Sequence, residues 1–164
     1  KLPLRAITPA PKQRQLQAEC AKLFQPRTIF RIVLGPQDFC FESDQIEKLT
    51  SSDWKLTTRM DRMGLRLSGP SLTHKINADI LSDGIVKGAV QIPGDGQPII
   101  LMADHQTTGG YTKIASVIST DLPALTRLAA HRSIRFTIVS QAEAEQLARQ
   151  KAALLSKVLN TKHH

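Results

Sequence analysis

Short runs in which apolar side chains recur at every second position alternate with polar clusters rich in Gly, Pro and Asp. "TIFRIVLG" (28–35), "WKLTT" (54–58), "GLRLSG" (64–69), "GAVQIP" (88–93), "QPIILM" (97–102), "KIASVIST" (113–120) and "IRFTIV" (134–139) read as strands. In "GLRLSG", Leu65 and Leu67 point one way and Arg66 and Ser68 the other; Ile134, Phe136 and Ile138 likewise share a face. "PGDG" (93–96) joins two of these runs as a tight turn, which predicts a hairpin. Helical spacing is rarer. Phe41, Ile46 and Leu49 predict a short helix within 38–51, and "TDLPALTRL" (120–128) predicts another that starts at Thr120 or Asp121. "SQAE" (140–143) has the form of a capping box, and Leu147, Leu154, Leu155 and Val158 follow near one stripe, so a helix is expected over about 141–159. Many short strands with few helices predict a closed or nearly closed β-barrel.

The 164 residues suit one domain, and 41% hydrophobic content supplies a core, with aromatics at only 4% leaving it to Leu, Ile, Val and Ala. No apolar run is long enough for a membrane span, and no signal-peptide pattern is present, which argues for a cytoplasmic protein. Residues 1–27 are punctuated by Pro3, Pro9, Pro11 and Pro26 and read as a linker, although 13–23 has the makings of a short helix. The net charge of +8 sits at the ends: residues 1–32 carry seven Lys/Arg against one acid, whereas 33–148 is close to neutral. A nucleic-acid binder would concentrate that charge on its folded surface, so no nucleic-acid partner is expected. Cys20 and Cys40 read as reduced thiols, and His74, His105 and His131 lack ligand spacing, so no metal site is expected.

The candidate chemistry gathers in "ADHQTTGGYTKIA" (103–115), read as the connection between two strands. Gly109 and Gly110 would let the backbone turn and expose amides able to hold a carboxylate, a phosphate or an oxyanion. Gln106, Thr107, Thr108 and Tyr111 add donors and acceptors. Asp104 is a base or an anchor, and the anchor is favoured because arginines lower an acid's pKa. The competing reading is a polar loop that satisfies its own hydrogen bonds. Arg59, Arg62 and Arg66 offer guanidinium forks for an anion, or simply a solvated face. Gln91 and Gln97 flank the hairpin; each faces solvent or reads an amide substrate.

"GPQ" (35–37), "DRMGLRLSGP" (61–70) and "SDGIVKGAVQIPGDGQPIILMADHQTTGGYTKIASVISTDLP" (82–123) resemble the C-terminal half of a bacterial family. That family is known as the 5-oxoprolinase C-subunit, allophanate hydrolase subunit 2 or KipA. The chain is similar also to the carboxyltransferase domain of urea carboxylase. His105 and Thr112 stand where Arg and Pro are usual. The resemblance implies a mainly β, cyclophilin-like barrel over 28–140, a C-terminal helix and tail over 141–164, and a preceding homologous half joined through 1–27. It implies a subunit of an ATP-dependent 5-oxoprolinase, inactive as this fragment alone. Its partner would be the 5-oxoprolinase B-subunit, also called KipI-like or allophanate hydrolase subunit 1. The alternatives are a regulator that antagonises a kinase inhibitor and a carboxyltransferase using biotin on another protein. The expected site is Asp104, Gln106, Thr107 and Thr108 for catalysis, with Arg62, Arg66, Gln91, Gln97, Gly109, Gly110 and Tyr111 binding substrate.

Overall fold

Residues 25–160 are described by the computed structural model, with side chains through 157. Most of the expected linker and the last four residues lie outside the described residues. Eight strands form one sheet: β1 (Ile29–Leu34), β2 (Trp54–Met60), β3 (Gly64–Ser68), β4 (Asp79–Gly84), β5 (Ala89–Ile92), β6 (Ile99–Leu101), β7 (Thr108–Val117) and β8 (Ser133–Ile138). Their order is β1-β8-β2-β3-β6-β5-β7-β4, and a further pairing of β1 with β7 closes the ring. Seven strands therefore make the barrel, and β4 extends it as an appendage on the outer edge of β7. Only β1 and β8 run parallel; the other pairings are antiparallel. The fold is thus the mainly β barrel that alternation predicts.

One face of each of the seven barrel strands fills the interior. Phe30, Ile32, Trp54, Leu56, Leu65, Leu67, Val90, Ile92, Ile100, Ile114 and Ile134 are buried there. The helix α1 (Ser43–Ser51) adds Leu49 to this core and is tied to β2 by the Trp54 indole, which donates to the Leu49 carbonyl at 2.8 Å. The hairpin turn closes through Gly96 N–H to Pro93 O at 2.9 Å, and Gly96 has φ +71, where an L side chain is strained. The C-terminal helix, α3 (Gln141–Asn160), starts with the expected capping box: the Ser140 amide donates to Glu143 Oε2 at 2.8 Å, and the Glu143 amide donates back to Ser140 Oγ at 3.2 Å.

Four local expectations are corrected. Residues 38–51 are not one helix. A 3-10 turn, Asp38–Cys40, precedes α1, and Phe41 between them is extended because Cys40 and Phe41 both turn into the core. The helix expected over 120–128 is the four-residue α2, Leu122–Leu125; Pro123 suits its first turn, and Leu122, Ala124 and Leu125 are all buried, so packing ends it early. Strand β4 is an additional strand, in a stretch without apolar alternation. Finally, Gly109 and Gly110 do not form a turn: they lie within β7, where Gly109 faces Asp83 of β4. The glycine at 109 answers a close approach, since a Cβ there would stand 2.6 Å from Ile85 Cδ1 and 3.0 Å from Gln91 Nε2.

Candidate functional site

The outward faces of β3, β6, β5 and β7 form the floor of a groove of about 640 Å³. Alternation decides its composition. Where Leu65, Ile100 and Val90 point inward, Gly64, Ile99, Leu101 and Gln91 point outward and line the floor. Ile85, just past β4, and Gly109 close one side; Arg59, Arg66, His105, Gln106 and Tyr111 stand around it. The floor is apolar except for Gln91, which is only 5% exposed. Its Nε2 has no hydrogen-bond partner among the described residues. A buried amide donor left unmade costs about 1–3 kcal/mol, so a site that keeps one invites an acceptor oxygen.

The rim supplies positive charge. Arg59 has no ion-pair partner among the described residues, and Arg66 reaches Asp95 only at 3.6 Å. Asp61, also on the rim, is spent on the turn between β2 and β3, where its Oδ1 accepts from the amides of Met63 and Gly64 at 2.8 and 3.0 Å. His105 is tied locally, its Nδ1 lying 2.6 Å from the Gln106 carbonyl.

The structure gathers Arg66, Gln91, Gln106, Gly109, Gly110 and Tyr111 from the expected set around this one groove. It sets the others apart. Asp104 and Arg62 form a bidentate pair, Nε to Oδ2 and Nη2 to Oδ1, at 2.5 and 3.0 Å. The hydrogen bond from Arg62 holds the Asp104 carboxyl below its usual range, which suits an anchor rather than a base. Gln97 is engaged with one residue: Gly69 N–H donates to its Oε1 at 2.9 Å, and its Nε2 donates to Gly69 O at 3.2 Å. Thr107 and Thr108 are exposed and do not line the groove, and the Thr107 carbonyl accepts from the Ile85 amide at 3.0 Å.

One cluster escaped the sequence reading. Lys113 lies opposite Gln91 in the β5–β7 ladder and is 3% exposed. Its Nζ donates to Asp83 Oδ2 at 3.0 Å, and Gln37 donates to the same oxygen at 3.3 Å while accepting from the Lys113 amide at 3.2 Å. These bonds hold Asp83 below the usual carboxylate range, with Lys113 the chief cause, and pin β4 against β7 beside Ile85. A lysine set amid the apolar residues of "YTKIASV" was the available signal; its partner, 30 positions away, was not. Among the described residues, no three His, Cys, Asp or Glu side chains converge on a metal-holding group. None of the described helices is long and apolar enough to cross a membrane.

The closed β-barrel thus carries a groove on its outer face, polar at a single floor position and built on strands. The chain belongs to the family described as carboxyltransferase domain, subdomain A and B, whose model matches residues 1–138. It is 47% identical over 107 residues to the 5-oxoprolinase C-subunit of Haemophilus influenzae, covering 65% of this chain and 35% of that protein. It is 35% identical over 133 residues to the 5-oxoprolinase C-subunit of Escherichia coli, covering 81% of this chain and 43% of that one. The chain thus spans well under half the length of these relatives. The crystal structure of the K. lactis urea amidolyase superposes with a TM-score of 0.72 at 24% identity over 76% of this chain and 8% of that one, a likeness of fold.

Proposed function

We propose that this chain is part of a subunit of an ATP-dependent 5-oxoprolinase, which works with a partner subunit to open 5-oxo-L-proline to L-glutamate. The observation that carries the reading is the unpartnered Gln91 Nε2 on an apolar floor beneath two arginines. The substrate has matching parts: ring methylenes, a carboxylate and a lactam carbonyl. Ile85, Ile99 and Leu101 suit the methylenes, Arg59 and Arg66 the carboxylate, and Gln91 the lactam oxygen. When water adds to that carbonyl, negative charge grows on the oxygen, and a fixed donor there lowers the barrier. The C–N bond then breaks, and the ring nitrogen leaves with a proton as the new amine. ATP supplies the driving force in the complete complex, and no nucleotide contact is assigned to this chain. By itself the chain is inactive in this reading. The relatives' names support the reading as a 5-oxoprolinase subunit.

The family's description as a carboxyltransferase domain favours a second reading, in which a carrier protein brings carboxybiotin and the groove holds the accepting amide. The decisive experiment is ATP hydrolysis and glutamate formation by the full-length subunit with its partner, with and without 5-oxoproline, and with avidin added. Turnover stimulated by 5-oxoproline and indifferent to avidin supports the hydrolase. Sensitivity to avidin supports carboxyl transfer. Tight partner binding with no turnover of either kind overturns both and leaves a regulatory protein that acts by sequestration.

A further inference from the structure

A second cavity, about 220 Å³, lies between the barrel and α3 and shares no lining residue with the groove. Arg27 and Arg31 reach it from β1 and its approach, and Lys151 reaches it from α3. Leu147 and Leu154 give it an apolar wall.

The cations surround Asp121, whose side chain is fully buried. That carboxylate is already saturated. Its Oδ1 accepts from Arg27 Nη1, Arg31 Nη2 and Thr120 Oγ1 at 2.6, 2.5 and 3.3 Å. Its Oδ2 accepts from the amide and Nε of Arg31, both at 3.0 Å. A carboxylate offers about four lone-pair sites, so none remains for a further cation. Lys151 accordingly turns to a neutral group, donating to the Thr120 carbonyl at 3.0 Å. Burial is the chief cause that pushes its ammonium below the usual lysine range; Asp121 draws it back, and Arg27 and Arg127 push it down again. Among the described residues, three cations thus line a cavity around one acid with no acceptor to spare. A clasp that served only to dock α3 needs a second acid to balance them.

We infer that this cavity binds a small oxyanion, the phosphate or carboxylate group of a ligand, between Arg27, Arg31 and Lys151. The anion supplies the missing acceptors, and Leu147 and Leu154 cover the carbon skeleton of an organic ligand. Because its donors come from both the barrel and α3, the bound anion fastens the helix to the barrel.

The test is calorimetric titration of the full-length protein with inorganic phosphate and, separately, with acetate. Ionic strength is held constant with sodium chloride, because exposed charges are screened. One saturable site is expected. Saturation by phosphate alone assigns a phosphate group, and saturation by acetate assigns a carboxylate. Lys151→Met, checked for fold by circular dichroism, weakens binding about tenfold or more, the equivalent of one charge-assisted hydrogen bond. Lys151→Arg keeps most of it. Failure of both anions to saturate, or equal binding by well-folded Lys151→Met, overturns the inference. Neither result bears on turnover in the groove.

Discussion

Replacing Gln91 by leucine separates a recognition residue from a structural one, because the two roles predict opposite signs for stability. Leucine nearly matches glutamine in size and brings no polar atoms. The Nε2 of Gln91 is buried and unpartnered, so the fold carries its desolvation cost of about 1–3 kcal/mol, and Gln91→Leu should recover part of it. For a chain of this size 1 kcal/mol corresponds to about 2–4 °C in Tm, so recovering part of that cost should raise Tm by a few degrees, with about 12 °C as the ceiling. Ile99, in register opposite position 91, and Leu101 give the new side chain apolar neighbours, so no cavity offsets the gain. The same change removes the donor to the developing oxyanion and should lower kcat of the complete complex about 100- to 1000-fold. The measurements are thermal unfolding of the variant and 5-oxoproline-dependent ATP hydrolysis by the reconstituted complex. A fall of several degrees in Tm would mean that the amide is satisfied within the protein. Wild-type turnover in a stabilised Gln91→Leu variant would mean that the groove recognises its ligand elsewhere.

Gly109→Ala should raise KM strongly in that assay, because its Cβ meets Ile85 Cδ1 at 2.6 Å and Gln91 Nε2 at 3.0 Å. Gly110→Ala, whose nearest neighbour is Ile80 O at 3.3 Å, should be the milder variant, and equal effects would remove Gly109 from the floor. Asp121→Ala strands two arginines and should cost about 3–5 kcal/mol in urea unfolding, the range for breaking a buried pair; a loss below about 1 kcal/mol would show that the clasp is solvated. The folded-state pKa of Asp121 is lowered, so its contribution is present above the unfolded value near about 4 and is lost as pH falls through the folded value; acid unfolding of Asp121→Asn should be shallower there. His74 is shifted down, chiefly by burial, so its neutral form favours the fold and stability should decline as pH falls below about 6.5. His74→Gln should flatten that part of the Tm profile, and an unchanged slope would assign it to another group.

The parts of this fold legible in the sequence are those whose signal is local. "GLRLSG" alternates because one face of β3 is core and the other is groove, and "SQAE" carries both halves of its own cap within four residues. Strand β4 was not legible because "DILSDG" is exposed at nearly every position, so burial writes no period on it; pairing with β7 holds it in place. The arginines show the same limit. Their guanidinium forks suited an anion site or a solvated face, and which holds depends on whether each is free or tied, set by partners distant in sequence. Asp104 takes Arg62 across 42 positions, while nothing among the described residues forms an ion pair with Arg59.

Strand β7 explains why the richest polar stretch in the chain was hard to place. Gly109, Tyr111 and Lys113 lie on the groove side of β7, at odd positions, yet the odd positions Ala115 and Val117 face the core. An unbroken strand cannot do both, since side chains alternate strictly. The register shifts between Val90, paired with Ala115, and Gln91, paired with Lys113, which leaves Ile114 as the extra residue of a bulge. That one residue exchanges the parity of the strand. Below it, β7 offers the Tyr111 hydroxyl and bare backbone to the groove and spends the Lys113 amine on Asp83 of β4; above it, the same strand packs as barrel wall. Without the bulge, either Lys113 would turn into the core or Ala115 and Val117 would turn out of it. The polar cluster can therefore adjoin a buried strand because a bulge divides one strand into a chemical half and a structural half, and it sets Gln91 opposite Lys113 at the join.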